Sequence, residues 1–153
     1  MYKRQHHHFG TVELRICDAQ TSGDDSFDLA ALITACIAQT ALDYDDGRLG
    51  QPRRDREVEE NLWRAIRYGL DGSQIDFSRG EVVSTRLALD RLVEWTAPVR
   101  DALGLDVELP QRNGTQRARQ LLEQGAGIVD IYREQVAETA RTYPDQRGTK
   151  VEG

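Results

Sequence analysis

One stretch near the start of the chain constrains the fold more than any other. From Thr11 to Asp18 the sequence reads TVELRICD, in which apolar and polar residues alternate. A period of two is typical of a half-buried β-strand, because successive side chains of a strand point to opposite faces. We therefore expect a strand whose apolar face rests on a core and whose polar face presents Glu13 and Arg15 side by side.

Composition and charge exclude several classes of function. The chain has 153 residues, which is one domain's worth at about 100–200 residues per domain. Its net charge of -6 provides no broad basic surface, so we expect no nucleic-acid partner. We find no apolar run near the roughly 18 residues of a membrane span and no secretory signal. Cys17 and Cys36 fall in different predicted elements, which favours two reduced thiols in a cytoplasmic protein.

The two ends of the chain differ from its middle. Residues 1–5, MYKRQ, have no pattern that joins them to the strand, and we expect them to be an adapter-derived artefact; the alternative is an ordinary frayed terminus. The histidines at 6–8 bind a metal, are the remnant of a tag, or form a polar lead-in to the strand. The lead-in is favoured, since neighbours in an extended segment point to opposite faces. Residues 144–153 are polar and expected to be disordered. The folded portion is therefore predicted to span residues 6–143.

Helical spacing dominates the rest of the sequence. Ser22 followed by Asp25 suits a helix N-terminus, and Pro98 predicts a kink or break near Thr96. A small hairpin is expected between residues 70 and 83, with turns before its first strand and around residues 78–80. The periodicity predicts five helical segments, from about Phe27 to Tyr44, Asp55 to Tyr68, Ser84 to Leu103, Gln116 to Gln124 and Ile128 to Thr142.

Each of these helices carries an apolar stripe that we expect to be buried. The stripes include Leu29, Leu32 and Ile33; Val58, Leu62 and Ile66; Ala88, Leu92, Trp95 and Val99; and Ile128, Ile131, Tyr132 and Val136. A single strand among helices cannot satisfy its own edges, so the fold is expected to be an incomplete piece of a longer chain. The predicted class is α+β, mostly helical, with one main N-terminal strand.

Candidate binding residues lie on the strand and on the second helix. The Glu13 carboxylate is a ligand type that Mg²⁺ prefers, and the Arg15 guanidinium can grip a phosphate or a carboxylate. Such a pair is also a common cross-strand ion pair on a wet sheet face. Asn61 and Arg64 share one face of the second helix, where they either line a cleft or form part of a charged surface.

A third set of candidates surrounds the start of the fourth helical segment. Arg112, Arg117 and Arg119 cluster around Asn113-Gly114-Thr115, which reads as the beginning of a helix. A helix N-terminus with exposed N–H groups and nearby arginines can hold an anion. The alternative is again a solvated helix face.

Three stretches of this sequence resemble one known family. The segment from Phe9 to Thr21 reads FGTVELRICDAQT, residues 60–72 read ENLWRAIRYGLDG, and residues 113–119 read NGTQRAR. In this order they are similar to the C-terminal part of the carboxylate–amine ligase family, also called type 2 glutamate–cysteine ligases. The likeness covers about Phe9 to Thr142, and the first two stretches are the more specific ones.

The resemblance implies a glutamine-synthetase-like catalytic domain. Such enzymes use ATP and Mg²⁺ to phosphorylate a carboxylate, and an amine then attacks the acyl phosphate. By this analogy Glu13 would be a Mg²⁺ ligand, Arg15 a catalytic residue at the transferred phosphoryl group or the substrate carboxylate, and Asn61 and Arg64 substrate-binding residues.

The implied substrates are glutamate and cysteine or another amine, and the resemblance leaves a homo-oligomer of the full-length enzyme open. Nucleotide-binding strands and most metal-binding carboxylates have no counterpart in this sequence, so the chain alone is expected to be inactive. The alternative is a small helical interaction or regulatory module without catalytic activity.

Overall fold

The chain folds into short β-hairpins and a set of α-helices. The computed structural model describes residues 3–6, 10–14 and 17–143, with the backbone alone for 3–6. In chain order the elements are β1 (Lys3–His6), β2 (Thr11–Leu14), α1 (Gly23–Asp45), α2 (Asp55–Tyr68), a 3-10 turn (Gly69–Asp71), β3 (Ser73–Asp76), β4 (Glu81–Ser84), α3 (Thr85–Leu103), α4 (Gly114–Glu123) and α5 (Ile128–Thr142).

The N-terminal strand has a partner that the sequence did not predict. β1 pairs with β2 in antiparallel register, with Arg4 opposite Glu13. β2 is also shorter than expected, because Cys17 and Asp18 have no strand structure. Val12 is 43% exposed, so the expected burial of the apolar face is wrong at this position. The predictions for residues 1–2 and 144–153, and for two of the three histidines, fall outside the described residues, and the origin of MYKRQ stays a prediction.

The main core of the described chain lies where α1 packs against α3. Ala31, Leu32 and Ala35 are buried on α1, and Thr96 and Val99 are buried on α3. The small side chains among them allow the two helices to approach closely. Removal of this apolar surface from water stabilises the contact by about 25 cal/mol per Å².

Asp43 fastens the C-terminal end of α1 to α3. Its buried carboxylate accepts hydrogen bonds from Gln39 Nε2 at 2.9 Å, Arg48 Nη2 at 2.8 Å and Trp95 Nε1 at 3.0 Å. The hydrogen bond from Arg48, followed by that from Gln39, holds the pKa of Asp43 below its ordinary value. Trp95, which the spacing assigns to the core, is partly exposed, and its indole N–H serves this network.

α3 runs unbroken through Pro98, so of the kink or break expected near Thr96 the break is wrong, while the kink stays a prediction. A proline inside a helix removes one backbone donor. Side chains supply additional donors just before it. Thr96 Oγ1 donates to the carbonyls of Leu92 at 3.0 Å and Val93 at 3.1 Å. Arg100 donates to the same Val93 carbonyl at 3.1 Å.

The hairpin expected between residues 70 and 83 is confirmed. β3 and β4 pair antiparallel, with Ser73 opposite Ser84 and Asp76 opposite Glu81. Arg91 of α3 donates to the carboxylates of Asp76 at 3.0 Å and Glu81 at 2.8 Å. The hairpin is thereby held against α3, while α2 packs along β3.

α1 begins earlier than predicted, at Gly23 rather than Phe27. The Ser22 hydroxyl accepts from the Asp25 N–H at 3.3 Å, which confirms the expected cap. Gly23 is required by close approach, because a Cβ there would lie 2.5 Å from the Thr142 carbonyl oxygen at the end of α5. The Gly23 N–H also donates to Thr142 Oγ1 at 2.8 Å. The end of α5 therefore holds the segment that connects β2 to α1.

The expected burial of the α2 and α5 stripes is wrong. α2 has no buried residue, and Ile66 is 78% exposed. On α5 only Ile131 is buried, while Tyr132 is 69% exposed. The elements that contact these helices do not cover the stripes. Helical periodicity shows which residues share a face, but it does not show whether anything covers that face.

α1 bears on the expectation that no segment is long and apolar enough to span a membrane. This 23-residue helix is long and apolar enough to do so by length and composition alone, and it is the only such helix among the described residues. The expectation is wrong on this point. However, α1 carries the buried polar residues Gln39 and Asp43 and packs against α3 and α5, which favours a core helix. The absence of a membrane partner stays a prediction.

Candidate active-site cleft

A cleft of about 650 Å³ opens between the end of α2 and the start of α4. Three separate parts of the chain line it: Asp18 after β2; residues 65–69 and Asp71 at the end of α2 and in the 3-10 turn; and Asn113, Thr115, Gln116 and Arg119 at the start of α4. Each part belongs to one of the three stretches on which the family resemblance was based. Stretches far apart in the sequence therefore meet at one concave surface.

Gly69 allows the α2 end of the cleft to form. It has φ of 57°, a conformation that favours glycine, and it ends α2 as the sequence predicted. A Cβ at this position would lie 3.0 Å from Asn113 Nδ2. The turn therefore lies directly against the residue that begins α4.

The α4 end of the cleft is held by reciprocal hydrogen bonds. Asn113 Oδ1 accepts from the Gln116 N–H at 2.9 Å, and Gln116 Oε1 accepts from the Asn113 N–H at 3.0 Å. Gln116 Nε2 also donates to Asp71 Oδ2 at 2.6 Å, which joins α4 to the 3-10 turn. At the start of the helix, the N–H groups of Gly114 and Thr115 have no intrahelical acceptor.

Charged side chains of both signs border the cleft: Arg67, Arg119, Asp18 and Asp71. Among the residues that the structure describes, neither guanidinium has a hydrogen-bond or ion-pair partner. Arg67 lies over the Tyr68 ring, with 5.9 Å between its Cζ atom and the ring centroid. Both arginines are exposed and remain available to a ligand.

Of the three arginines predicted to hold an anion at the start of α4, only Arg119 borders this cleft. Arg112 donates to Gln120 Oε1 at 2.8 Å. Arg117 forms an ion pair with Asp25 at the start of α1. The predicted cluster is thus divided between intramolecular contacts and a single arginine that is open to the cleft.

Asn61 lies outside this cleft and borders a smaller one of about 380 Å³ between α2, β3 and α3. Its side-chain amide is bonded on both sides to the backbone of β3. Nδ2 donates to the Ile75 carbonyl at 2.9 Å, and Oδ1 accepts from the Ile75 N–H at 2.8 Å. Asn61 therefore fastens α2 to the hairpin edge.

Arg64 has a similar place, one helical turn further along α2. Its Nε donates to Glu60 Oε1 at 2.8 Å, and its Nη1 donates to Ser73 Oγ at 3.2 Å. The structure brings Arg64 and Asn61 together at the contact between α2 and β3. Their substrate-binding role stays a prediction.

The proposed metal ligand lies on the first hairpin. Glu13 is exposed on β2, and Arg15 falls outside the described residues. Among residues 10–14 and 17–143, no group of three or more His, Cys, Asp or Glu side chains is arranged to hold a metal ion. The roles predicted for Glu13 and Arg15 stay predictions.

The cysteines offer no activated nucleophile beside the cleft. Both are free, and Cys17 directly precedes Asp18. Burial and, next, the charge of Asp18 raise the pKa of the Cys17 thiol, and burial raises that of Cys36. A thiol with a raised pKa is less reactive, because the thiolate is the nucleophilic form.

Sequence reasoning missed Arg67 and Asp71 as site candidates. Both lie within the second family stretch, and Arg67 is three residues beyond Arg64. Their place became clear only from the turn at Gly69, which brings them to the start of α4. The signal in the sequence that could have identified these two residues was their place within the second family stretch, because their helical spacing alone does not indicate a site.

Comparison with known proteins agrees with these three stretches. Residues 2–142 match the sequence model of glutamate-cysteine ligase family 2 (GCS2). A protein of Sorangium cellulosum named "Putative glutamate--cysteine ligase 2" is 39% identical over 122 residues, which cover 80% of this chain and 31% of that protein. A namesake from Herpetosiphon aurantiacus is 32% identical over 155 residues, which cover 97% of this chain and 40% of that protein.

A further relative has the same kind of name. "Putative glutamate--cysteine ligase 2-2" of Frankia alni is 41% identical over 101 residues, which cover 66% of this chain and 26% of that protein. The chain thus spans roughly a third of the length of the curated relatives it matches. No solved structure matches it significantly. On the extent of the family match and on these identities, the chain belongs to glutamate-cysteine ligase family 2.

Proposed function

We propose that this chain contributes part of the active site of an ATP-dependent ligase that joins the side-chain carboxylate of glutamate to the amine of cysteine. The observation that carries the proposal is the convergence of the three family stretches on one cleft with unpaired arginines. Family membership and the names of the relatives support the reaction class. Because the chain spans about a third of those relatives, the proposal concerns the whole ligase.

The reaction has two steps that need positive charge nearby. A carboxylate oxygen attacks the γ-phosphorus of ATP, and the bond from that phosphorus to the β,γ-bridging oxygen breaks. ADP departs, and the carboxylate becomes an acyl phosphate. The neutral amine nitrogen then attacks the acyl carbon, inorganic phosphate leaves with the electrons of the broken C–O bond, and the nitrogen releases a proton to solvent. The first step brings an anionic carboxylate to an anionic polyphosphate, the second builds negative charge on the departing phosphate, and fixed cations stabilise such transition states. Arg67 and Arg119 supply fixed positive charge at the cleft, where they can hold an anionic group of a substrate in place for this reaction.

The described residues do not fit a complete magnesium site. Glu13 supplies one carboxylate, and Mg²⁺ is usually held by one or two carboxylates together with substrate phosphates. No larger group of ligands is assembled in the described part of the chain. We therefore assign no step to the metal and retain Glu13 as a single predicted ligand.

A chimeric ligase tests the proposal. The aligned C-terminal part of the Sorangium cellulosum relative would be replaced by this chain, and ADP release would be measured with ATP, glutamate and cysteine. We expect release that depends on both amino acids, and none from the chain alone. The unaltered relative is the control. A folded chimera without turnover, beside an active parent, would contradict the proposal.

The exposed apolar faces of α2 and α5 are the observation that favours an interaction module instead. A module of that kind would melt cooperatively by itself, whereas a part of a larger domain, whose apolar faces lie uncovered, would melt less cooperatively. Circular dichroism of the isolated chain separates the two by the cooperativity of thermal melting. Cooperative melting together with an inactive chimera would favour the module.

A further inference from the structure

The arginines of this chain differ in how they are engaged. In the described part, five have no hydrogen-bond or ion-pair partner: Arg53, Arg54, Arg56, Arg67 and Arg119. An unpaired arginine on a convex surface is ordinary. Of these five, Arg67 and Arg119 border one and the same cleft. Their shared location calls for a ligand rather than solvation alone.

Two carboxylates border the same cleft. Gln116 Nε2 holds one oxygen of Asp71 at 2.6 Å, which orients the carboxylate, and the other oxygen has no partner in the described residues. Asp18, in the segment that follows β2, also lines the cleft. The formal charges at the cleft are therefore balanced, with two of each sign.

This balance selects among ligands. A polyphosphate would meet two carboxylates as well as two guanidiniums, and the like charges would repel it. A zwitterion can satisfy both signs, because its carboxylate pairs with guanidinium and its ammonium with carboxylate. The volume of about 650 Å³ lies within the range of small-molecule sites and is ample for an amino acid.

We propose that the cleft binds the head group of an α-amino acid, with its carboxylate at Arg67 and Arg119 and its ammonium at Asp71 and Asp18. The identity of this amino acid as a ligase substrate rests on the proposed function. Both glutamate and cysteine carry such a head group. Carboxylates hold an amine protonated, and the attacking amine must be neutral. The site therefore suits the amino acid that is phosphorylated, rather than the one that attacks.

Ligand titration of the full 153-residue chain, followed by amide NMR resonances, tests the site directly. The probes are L-glutamate, N-acetyl-L-glutamate, which lacks the ammonium, L-serine, which resembles cysteine without its thiol, and pyrophosphate. We expect L-glutamate to shift resonances of residues 65–71 and 113–119 and to bind more tightly than the other three. Weaker binding of L-serine than of L-glutamate would indicate that the cleft holds the amino acid that is phosphorylated, rather than the one that attacks.

Variants identify which charges act. Loss of a charge-assisted hydrogen bond weakens binding by about tenfold or more. We expect Asp71→Asn to weaken L-glutamate binding by that factor and to leave N-acetyl-L-glutamate unchanged. Arg119→Gln is expected to weaken both. Arg56→Gln, an exposed arginine on α2 away from the cleft, is the matched control and should alter neither. The same spectra report whether each variant is folded.

Several results would overturn the inference. They are equal affinity for L-glutamate and its N-acetyl form, tighter binding of pyrophosphate or L-serine than of L-glutamate, and an absence of shifts at the cleft. If the chimera turns over while the cleft ignores amino acids, the inference fails and the ligase proposal stands. If the cleft binds as expected but the chimera is inactive, only the ligase proposal fails.

Discussion

Two regions of the molecule are built from the same sequence pattern and end in opposite environments. On α1, an apolar stripe is buried against α3, and Leu32 is 6% exposed. On α2, a stripe with the same helical spacing is open to solvent, and Ile66 is 78% exposed. The difference shows that these helices divide into a self-sufficient pair and a set whose apolar faces are uncovered by the described chain.

Polar contacts reinforce the division. At the contact between α1 and α3, Gln39, Arg48 and Trp95 all donate hydrogen bonds to the Asp43 carboxylate. At the cleft, by contrast, Arg67 and Arg119 have no ionic partner among the described residues. A saturated polar network stabilises a fold, whereas unsaturated charges in a concave site are available for binding.

The largest expected effect comes from the same kind of truncation in the two regions. Leu32→Ala should lower the free energy of unfolding by about 2–5 kcal/mol, because it leaves a cavity in a closed contact. Ile66→Ala should change it by less than about 0.5 kcal/mol, since a surface side chain loses little. Urea denaturation measures both. Similar losses in the two variants would contradict the division.

The junction between α5 and α1 provides a second, smaller contrast. Gly23→Ala should lower the free energy of unfolding by about 1–3 kcal/mol, because the added Cβ meets the Thr142 carbonyl. Gly50→Ala is the control, as no atom lies within 4 Å of its added Cβ. Thermal melting compares them. A neutral Gly23→Ala would show that α5 does not hold the start of α1 closely.

The pH dependence of stability sharpens the description of the Asp43 network. The pKa of Asp43 is lowered in the folded chain, chiefly by the hydrogen bond from Arg48. Its stabilisation is therefore complete above the ordinary aspartate pKa of about 3.9 and is lost as the pH falls through the lower, folded value.

The difference in Tm between the wild type and Asp43→Asn should accordingly persist from pH 7 to about pH 4 and shrink below it. Asp90→Asn, an exposed aspartate on α3, should show no such trend. If the Tm difference between the wild type and Asp43→Asn stays constant down to pH 2, the ionised carboxylate of Asp43 is not the source of the stabilisation.

Local signals predicted much of the secondary structure. The cap at Ser22, the end of α2 at Gly69 and the bounds of α5 follow from residues that act within one helical turn. β1 was missed because its pairing with β2 depends on a partner strand rather than on its own pattern. Pro98 did not break α3, since a proline removes a single backbone donor and the rest of the helical ladder continues past it.

The candidate site was less accessible to sequence reasoning. Asn61 and Arg64 share a face as predicted, but β3 occupies their polar groups, and no periodicity reveals such a tertiary contact. The family stretches did contain Arg67, Asp71 and Arg119. Their joint location required the turn at Gly69 and the capping contacts of Asn113.

Steady-state kinetics of the chimeric ligase test most directly whether this cleft belongs to a ligase active site. Arg119→Gln should lower kcat/KM for glutamate by about tenfold or more, because one charge-assisted contact to the substrate is lost. Arg56→Gln should stay within about twofold of the unsubstituted chimera, as expected for an exposed surface residue. Equal values of kcat/KM for both variants and the unsubstituted chimera would contradict the assignment.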